Sequence, residues 1–228
     1  MKPTLKDKEE ALALIRYLLS FNFQEAITYE KYDDDGYAEL RFDEWRDSHR
    51  SILNSLDIDL ERGASKVCIL TSNKDWIIKV NINRSAKKFN SGINYCKAEY
   101  DNYRSAIEEG FGDYFAVMDF CGIVDGIEVY LQERAELDEC SFESSMHKYV
   151  SSCYPEDQYP DEDKREELIE SAMFDCDIED YVTAFLGSDT DYLIEFLYEH
   201  EINDLHYGNW GYARDGRIIM IDYSGFFD

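Results

Sequence analysis

Asp204-Leu205-His206-Tyr207-Gly208-Asn209, followed by Arg217-Ile218-Ile219-Met220-Ile221-Asp222-Tyr223-Ser224-Gly225, is the stretch on which the reading of this chain turns. Between the two strings, Trp210 to Ala213 and Arg217 to Ile221 are short, largely apolar runs separated by Arg214-Asp215-Gly216. Asp-Gly in that setting is a strong hairpin signal. A tight hairpin returns Asp222 towards Asn209, so that an amide oxygen and a carboxylate can serve one ion. Hard cations such as Mg²⁺ prefer oxygen ligands of this kind. Asp and Asn are also ordinary turn residues. The information lies in the longer string, with His206, Gly208, the hairpin and a carboxylate closing an apolar strand.

This constellation resembles the catalytic and metal-binding loops of the protein-kinase-like superfamily. The form D-L-H-x-G-N is nearest to the branch of aminoglycoside and choline phosphotransferases and small bacterial or phage kinases. The resemblance implies ATP and Mg²⁺ as cofactors and an α+β fold of two lobes, a small antiparallel β-sheet lobe and a helical lobe. It makes Asp204 the group that orients or deprotonates an acceptor hydroxyl, and Asn209 and Asp222 the metal ligands.

Upstream segments fit the same pattern. Glu61-Arg62-Gly63-Ala64-Ser65-Lys66 leads into the apolar run Val67-Cys68-Ile69-Leu70, and a turn at Ser72-Asn73-Lys74-Asp75 precedes Trp76-Ile77-Ile78-Lys79-Val80. The second strand is similar to the family's V-A-I-K strand, which makes Lys79 the contact to the α- and β-phosphates. A helix is expected between Gly92 and Glu109. Glu99, twenty residues after Lys79, is the expected partner of that lysine. Gly63, Ala64 and Ser65 stand where the family has its phosphate loop, with one glycine in place of three and Ser65 as an additional hydroxyl donor. Tyr114 to Cys121 and Ile127 to Gln132 flank Val124-Asp125-Gly126 and read as a further hairpin. Glu133-Arg134-Ala135-Glu136 then falls at the interlobe hinge. By the resemblance, the hinge backbone at Glu133 and Ala135 meets adenine, with Val67 and Leu131 lining its apolar pocket.

The chain has 228 residues, 44% of them hydrophobic and 15% aromatic, which excludes general disorder. Its organisation is expected to be a helical extension over 1–58, a small lobe over 59–135, and a minimal helical lobe over 136–228. Lys6 to Leu19 has the apolar spacing of an amphipathic helix. Phe21 to Tyr29 and Phe42 to Leu56 are expected helices, with a turn at Asp33-Asp34-Asp35-Gly36 between them. Further helices are expected at Phe142 to Cys153, Lys164 to Phe174, Ile178 to Leu186 and Asp189 to His200. No apolar run reaches a membrane span and no signal-peptide core is present, so no membrane partner is expected. Six scattered cysteines without C-x-x-C spacing read as reduced core thiols of a cytoplasmic protein.

The formal net charge is −27. Such a chain repels phosphate backbones, which argues against direct nucleic-acid binding. Residues 133–180 alone carry 17 acidic against 4 basic residues, net −13, with Pro155 to Asp163 as an exposed acidic loop. A charge run is ordinarily a solvated face. An acidic wall also suits a cationic small-molecule acceptor or a basic protein.

Three departures from the family pattern bear on function. Ile202-Asn203 precedes Asp204 where the phosphotransferase branch has His-Gly. Asp222-Tyr223-Ser224-Gly225 has one extra residue before glycine, with Tyr223 expected to pack as the usual aromatic. The sequence ends three residues after Gly225, so the helical lobe is expected to lack a peptide-docking platform. Two readings follow. One is an ATP- and Mg²⁺-dependent phosphotransferase using Asp204, Asn209, Asp222, Lys79 and Glu99, with AMP transfer open to the same residue types. The other is a non-catalytic, pseudokinase-like acidic module that engages a basic partner.

Overall fold

The apolar spacing of the first segment is realised in α1, Leu5–Leu19, whose start is fixed by a capping box. The Thr4 hydroxyl accepts from the Asp7 N–H at 3.3 Å, and the Asp7 carboxylate accepts from the Thr4 N–H at 2.7 Å. Ala11, Ile15 and Leu18 form its buried stripe. The computed structural model describes residues 2–28, 41–82 and 93–224. The expected turn at Asp33 to Gly36, together with Tyr29, Gly92 and Gly225, lies outside the described residues.

Five antiparallel strands make the main sheet: β1 (Asp59–Arg62), β2 (Lys66–Leu70), β3 (Trp76–Asn81), β4 (Met118–Val124) and β5 (Ile127–Glu133), in the order β1-β2-β3-β5-β4. The class is therefore α+β. Strand alternation gives the sheet two different faces. Val67, Ile69, Ile78, Val80, Val129 and Leu131 share one face and one hydrophobic core with α1 and with the short helices α2 (Phe23–Ala26), α3 (Phe42–Ser48) and α4 (Arg50–Ser55). Phe23, Phe42, Trp45 and Leu53 supply the helical side of that core. The opposite face carries Lys66, Cys68, Lys79 and Tyr130, in register with one another. Helix α5, Tyr95–Glu109, engages this second face.

Among the described residues, those within 2–104 and 117–134 form one compact unit, and 105–116 with 135–224 form another. The expected division had three parts, 1–58, 59–135 and 136–228; by contacts the N-terminal helices group with the sheet. The N-terminal helices are no separate extension, because the apolar face of an antiparallel sheet needs a covering layer and they provide it. The later boundary, between Arg134 and Ala135, lies one residue from the expected hinge boundary.

The second unit contains α6 (Glu139–Ser152), α7 (Glu162–Phe174), α8 (Ile178–Leu186), α9 (Asp191–Glu199) and the hairpin β6 (Trp210–Tyr212) and β7 (Ile218–Met220). Asp138, Asp161 and Asp177 cap α6, α7 and α8 by accepting backbone N–H groups of the first turn. Part of the acidic composition is thus spent on helix starts, where carboxylates also oppose the helix dipole. Phe142, Phe185 and Trp210 pack in sequence, with ring centroids 4.9 and 5.1 Å apart.

Several elements differ from expectation for local reasons. Strand β1 was not foreseen, since Leu60 is its single buried residue among charged neighbours. The expected helix over Phe42 to Leu56 breaks at His49, whose Nδ1 lies 2.8 Å from the Trp45 carbonyl while the Ser48 hydroxyl donates to the same oxygen at 2.9 Å. Side chains that compete for a helix carbonyl interrupt the ladder. The strand expected from Tyr114 begins only at Met118, because Phe115 and Ala116 pair with Met220 in the second unit. Of the expected core thiols, Cys96 is buried, whereas Cys140 and Cys153 are exposed. No described helix is long and apolar enough to cross a membrane.

Two measurements test this account. Leu18 is wholly buried, so Leu18→Ala should lower unfolding stability in urea by about 2–5 kcal/mol. Leu5→Ala, at a site 73% exposed, should stay within about 0.5 kcal/mol of wild type. Burial raises the Cys96 thiol well above its usual range and pushes Cys121 up to about 12. Iodoacetamide at neutral pH should therefore label Cys140 and Cys153 well ahead of Cys96 and Cys121, as read by peptide mass mapping.

Candidate functional site

In the first unit the site is built around one carboxylate. Asn94 caps α5 by accepting from the Lys97 N–H at 3.0 Å, and its amide donates to Glu128 at 2.8 Å. The Tyr95 N–H donates to Asn81 Oδ1 at the end of β3, at 2.9 Å. Tyr130 of β5 stands against Tyr100 of α5, ring centroids 5.9 Å apart. These contacts fix both the start and the orientation of the helix, and Glu99 follows one turn later on the sheet-facing side.

Lys79 Nζ donates to both oxygens of Glu99 at 3.1 Å. The expected pair is therefore formed, across twenty residues of sequence. Glu99 is 0% exposed and Lys79 4%. Lys66 completes the group: its Nζ donates to Glu99 Oε1 at 2.8 Å, and it is 5% exposed. Sequence reasoning passed over Lys66. The signal was strand parity, since Lys66 and Cys68 lie two apart in β2 and Cys68 pairs with Lys79. Burial of a carboxylate is tolerable only with such charge-assisted hydrogen bonds.

The other nucleotide residues expected in this unit are not all gathered here. Val67 and Leu131 lie on the sheet face opposite Lys79, inside the core with the N-terminal helices. They cannot line a pocket on the lysine face, where Cys68, Ile77 and Tyr130 stand in their place. Gly63, Ala64 and Ser65 make a tight turn rather than an extended loop. The Gly63 N–H closes it on the Lys66 carbonyl at 3.0 Å, and the Ser65 carbonyl accepts from Ile82 at 2.8 Å. Of the hinge groups, the Glu133 N–H donates to the Val117 carbonyl at 2.7 Å, and its carboxylate accepts from the Val117 N–H at 3.2 Å. That backbone donor is engaged with Val117.

In the second unit, Ile202 and Leu205 are buried and anchor the segment that carries Asp204. The Asn209 amide donates to the Asp204 carbonyl at 2.5 Å, which turns Asn209 Oδ1 away from that oxygen. The Ile221 N–H donates to the Asn209 carbonyl at 2.9 Å, extending the β6–β7 ladder by one step. The hairpin thus returns the chain so that Asp222 directly follows the residue paired with Asn209. His206 Nδ1 accepts from the Gly208 N–H at 3.1 Å. A Cβ at Gly208 would stand 2.9 Å from the His206 ring, so a side chain here would displace that ring. Tyr223 is buried, with its hydroxyl donating to Ala116 at 2.8 Å and its ring edge-on to Phe115. Asp222 Oδ1 accepts from Ser224 Oγ at 3.2 Å. Ala135, placed by expectation at the hinge, belongs to this unit and packs beside β6, where Gly211 has no room for a Cβ: one would fall 2.6 Å from that of Ala135.

The donors Asn209 and Asp222 are one amide and one carboxylate. This set fits Mg²⁺, which keeps waters and substrate phosphates and uses only one or two protein carboxylates. It does not fit a metal held by protein alone, and no cluster of three or more His, Cys, Asp or Glu side chains suited to a metal occurs among the described residues. No family model matches the chain, and no curated protein matches it.

Lys66 and Lys79 touch the same carboxylate, so its removal should cost more than removal of either cation. Glu99→Gln is expected to destabilise the protein by about 3–5 kcal/mol in chemical denaturation, and Lys79→Met by clearly less, because Lys66 still answers Glu99.

Proposed function

We propose that this protein is an ATP- and Mg²⁺-dependent phosphotransferase with a two-lobed, kinase-like fold, acting in the cytoplasm. The observation that carries the reading is the buried Lys79–Glu99 pair between strand and helix. A protein gains little stability from burying an ion pair where apolar residues would pack, so its presence favours a functional role. In this reading Lys79 contacts the α- and β-phosphates, with Glu99 holding it in place. Asp204 orients the acceptor hydroxyl and receives its proton, and Asn209 and Asp222 hold Mg²⁺. Bound Mg²⁺ neutralises charge on the phosphates as the phosphoryl group moves. The acceptor is a cationic small molecule or a basic protein, since an acidic surface concentrates cations and lowers the encounter barrier.

Charge distribution favours a second reading. Residues 105–116 and 135–226 contain 27 acidic and 5 basic residues, net −22, which leaves only −5 for the remainder of the chain. A non-catalytic acidic module that captures a basic partner would need such a concentration and would not need Asp204.

Thermal unfolding with ATP and Mg²⁺ separates the two. At a hundredfold excess over its dissociation constant, a bound nucleotide should add about 2.7 kcal/mol of stability. Asp222→Ala should abolish the Mg²⁺-dependent part of that shift, and Asp204→Ala should keep it while eliminating turnover. Absence of any shift at millimolar ATP would overturn the phosphotransferase reading, and partner capture that depends on Asp161, Glu162 and Asp163 would support the second.

A further inference from the structure

Gly63 to Lys66 turn so tightly that only Ala64 and Ser65 occupy the corner, with the Gly63 N–H held by the Lys66 carbonyl at 3.0 Å. Gly63 needs no left-handed backbone here, and a Cβ at this position would meet nothing closer than 3.9 Å. A turn of this length presents few backbone N–H groups to a polyphosphate, and one of those few is engaged inside the turn. Lys66, the residue that leaves the turn, sends its ammonium to the face that carries Lys79. Both ammonium groups lie about 3 Å from the same oxygen, Oε1 of Glu99.

From this juxtaposition we infer that Lys66 is a second phosphate-contacting cation, acting beside Lys79 on a nucleoside di- or triphosphate. The inference rests on the phosphotransferase reading given above. Two ammonium groups on one carboxylate oxygen are near neighbours, so an anion that reaches Lys79 is within reach of Lys66. A di- or triphosphate offers a further phosphate to the second cation, which a monophosphate lacks. The side-chain cation takes over what a longer glycine loop does with backbone amides.

The test uses the full chain as wild type, Lys66→Met, Lys66→Arg and Lys79→Met, titrated with ATP and AMP in Mg²⁺ against a fluorescent ATP analogue. Lys66→Met should lose about tenfold or more in ATP affinity and less than about twofold in AMP affinity, with Lys66→Arg close to wild type. A purely structural role would instead weaken both nucleotides alike, and that outcome overturns the inference. An unchanged ATP-to-AMP ratio in Lys66→Met, with Lys79→Met impaired, overturns it while leaving the phosphotransferase reading intact. If wild type binds no nucleotide, both fall. A second measurement needs no variant: the Lys66 Nζ resonance of the wild type should move on addition of ATP and Mg²⁺ and stay in place with AMP. A resonance indifferent to ATP overturns the inference even if Lys66→Met does not fold.

Discussion

A carboxylate with no exposure to water has to be met by cations, and Glu99 is met from two strands. Much of the first unit follows from that requirement. Helix α5 must lie with Glu99 towards the sheet, and its capping by Asn94, its tether to Asn81 and the Tyr100–Tyr130 contact hold it there. Strands β2 and β3 must be in a register that puts Lys66 and Lys79 on one face, which the pairing of Cys68 with Lys79 achieves. The nearby Cys96 thiol also registers the carboxylate: burial raises its pKa first, and Glu99 raises it further.

The polar face of the sheet is balanced by a mainly apolar one, whose charged members Arg62, Asp119 and Glu133 stand at its margins. Val67, Ile69, Ile78, Val80, Val129 and Leu131 are sealed by α1 to α4, which supply the hydrophobic driving force that a charged cluster cannot. This division explains why Val67 and Leu131 do not share the lysine face. Hydrophobicity made them attractive as pocket residues, yet in a two-faced sheet the most apolar positions belong to the sealed side. The residues that share the lysine face, Cys68, Ile77 and Tyr130, are of mixed polarity and gave a weaker signal.

What was legible in the sequence divides along the same physical line. Local chemistry was readable: the amphipathic period of α1, the hairpin around Asp215-Gly216, and the separation of Lys79 from Glu99 each depend on neighbours in the chain or on a recognised spacing. Long-range register was not readable. Lys66 joins Glu99 only because the turn at Ser72 to Asp75 fixes which residues of β2 and β3 stand opposite one another. Strand β1 has one apolar side chain and takes its conformation from pairing with β2, so no periodicity announced it. The late start of β4 reflects Phe115 and Ala116 pairing with Met220, a partner more than a hundred residues away. In the second unit the hairpin was readable from local pattern, whereas the contact of the Asn209 amide with the Asp204 carbonyl depends on the path of the whole loop.

The uneven charge constrains how any anionic ligand is handled. A net −22 in the second unit opposes the approach of ATP, yet the Debye length at physiological salt is about 8 Å, so that field is short-ranged in solution. Binding then depends on cations at contact distance, where Coulomb energy is largest and screening least effective. On the proposed reading, two lysines on one carboxylate and Mg²⁺ on the phosphates would supply that concentrated positive charge. The same reasoning assigns the dispersed acidic surface a different task. Its charges are too scattered to fix a single small ligand, but together they favour polycations over polyanions.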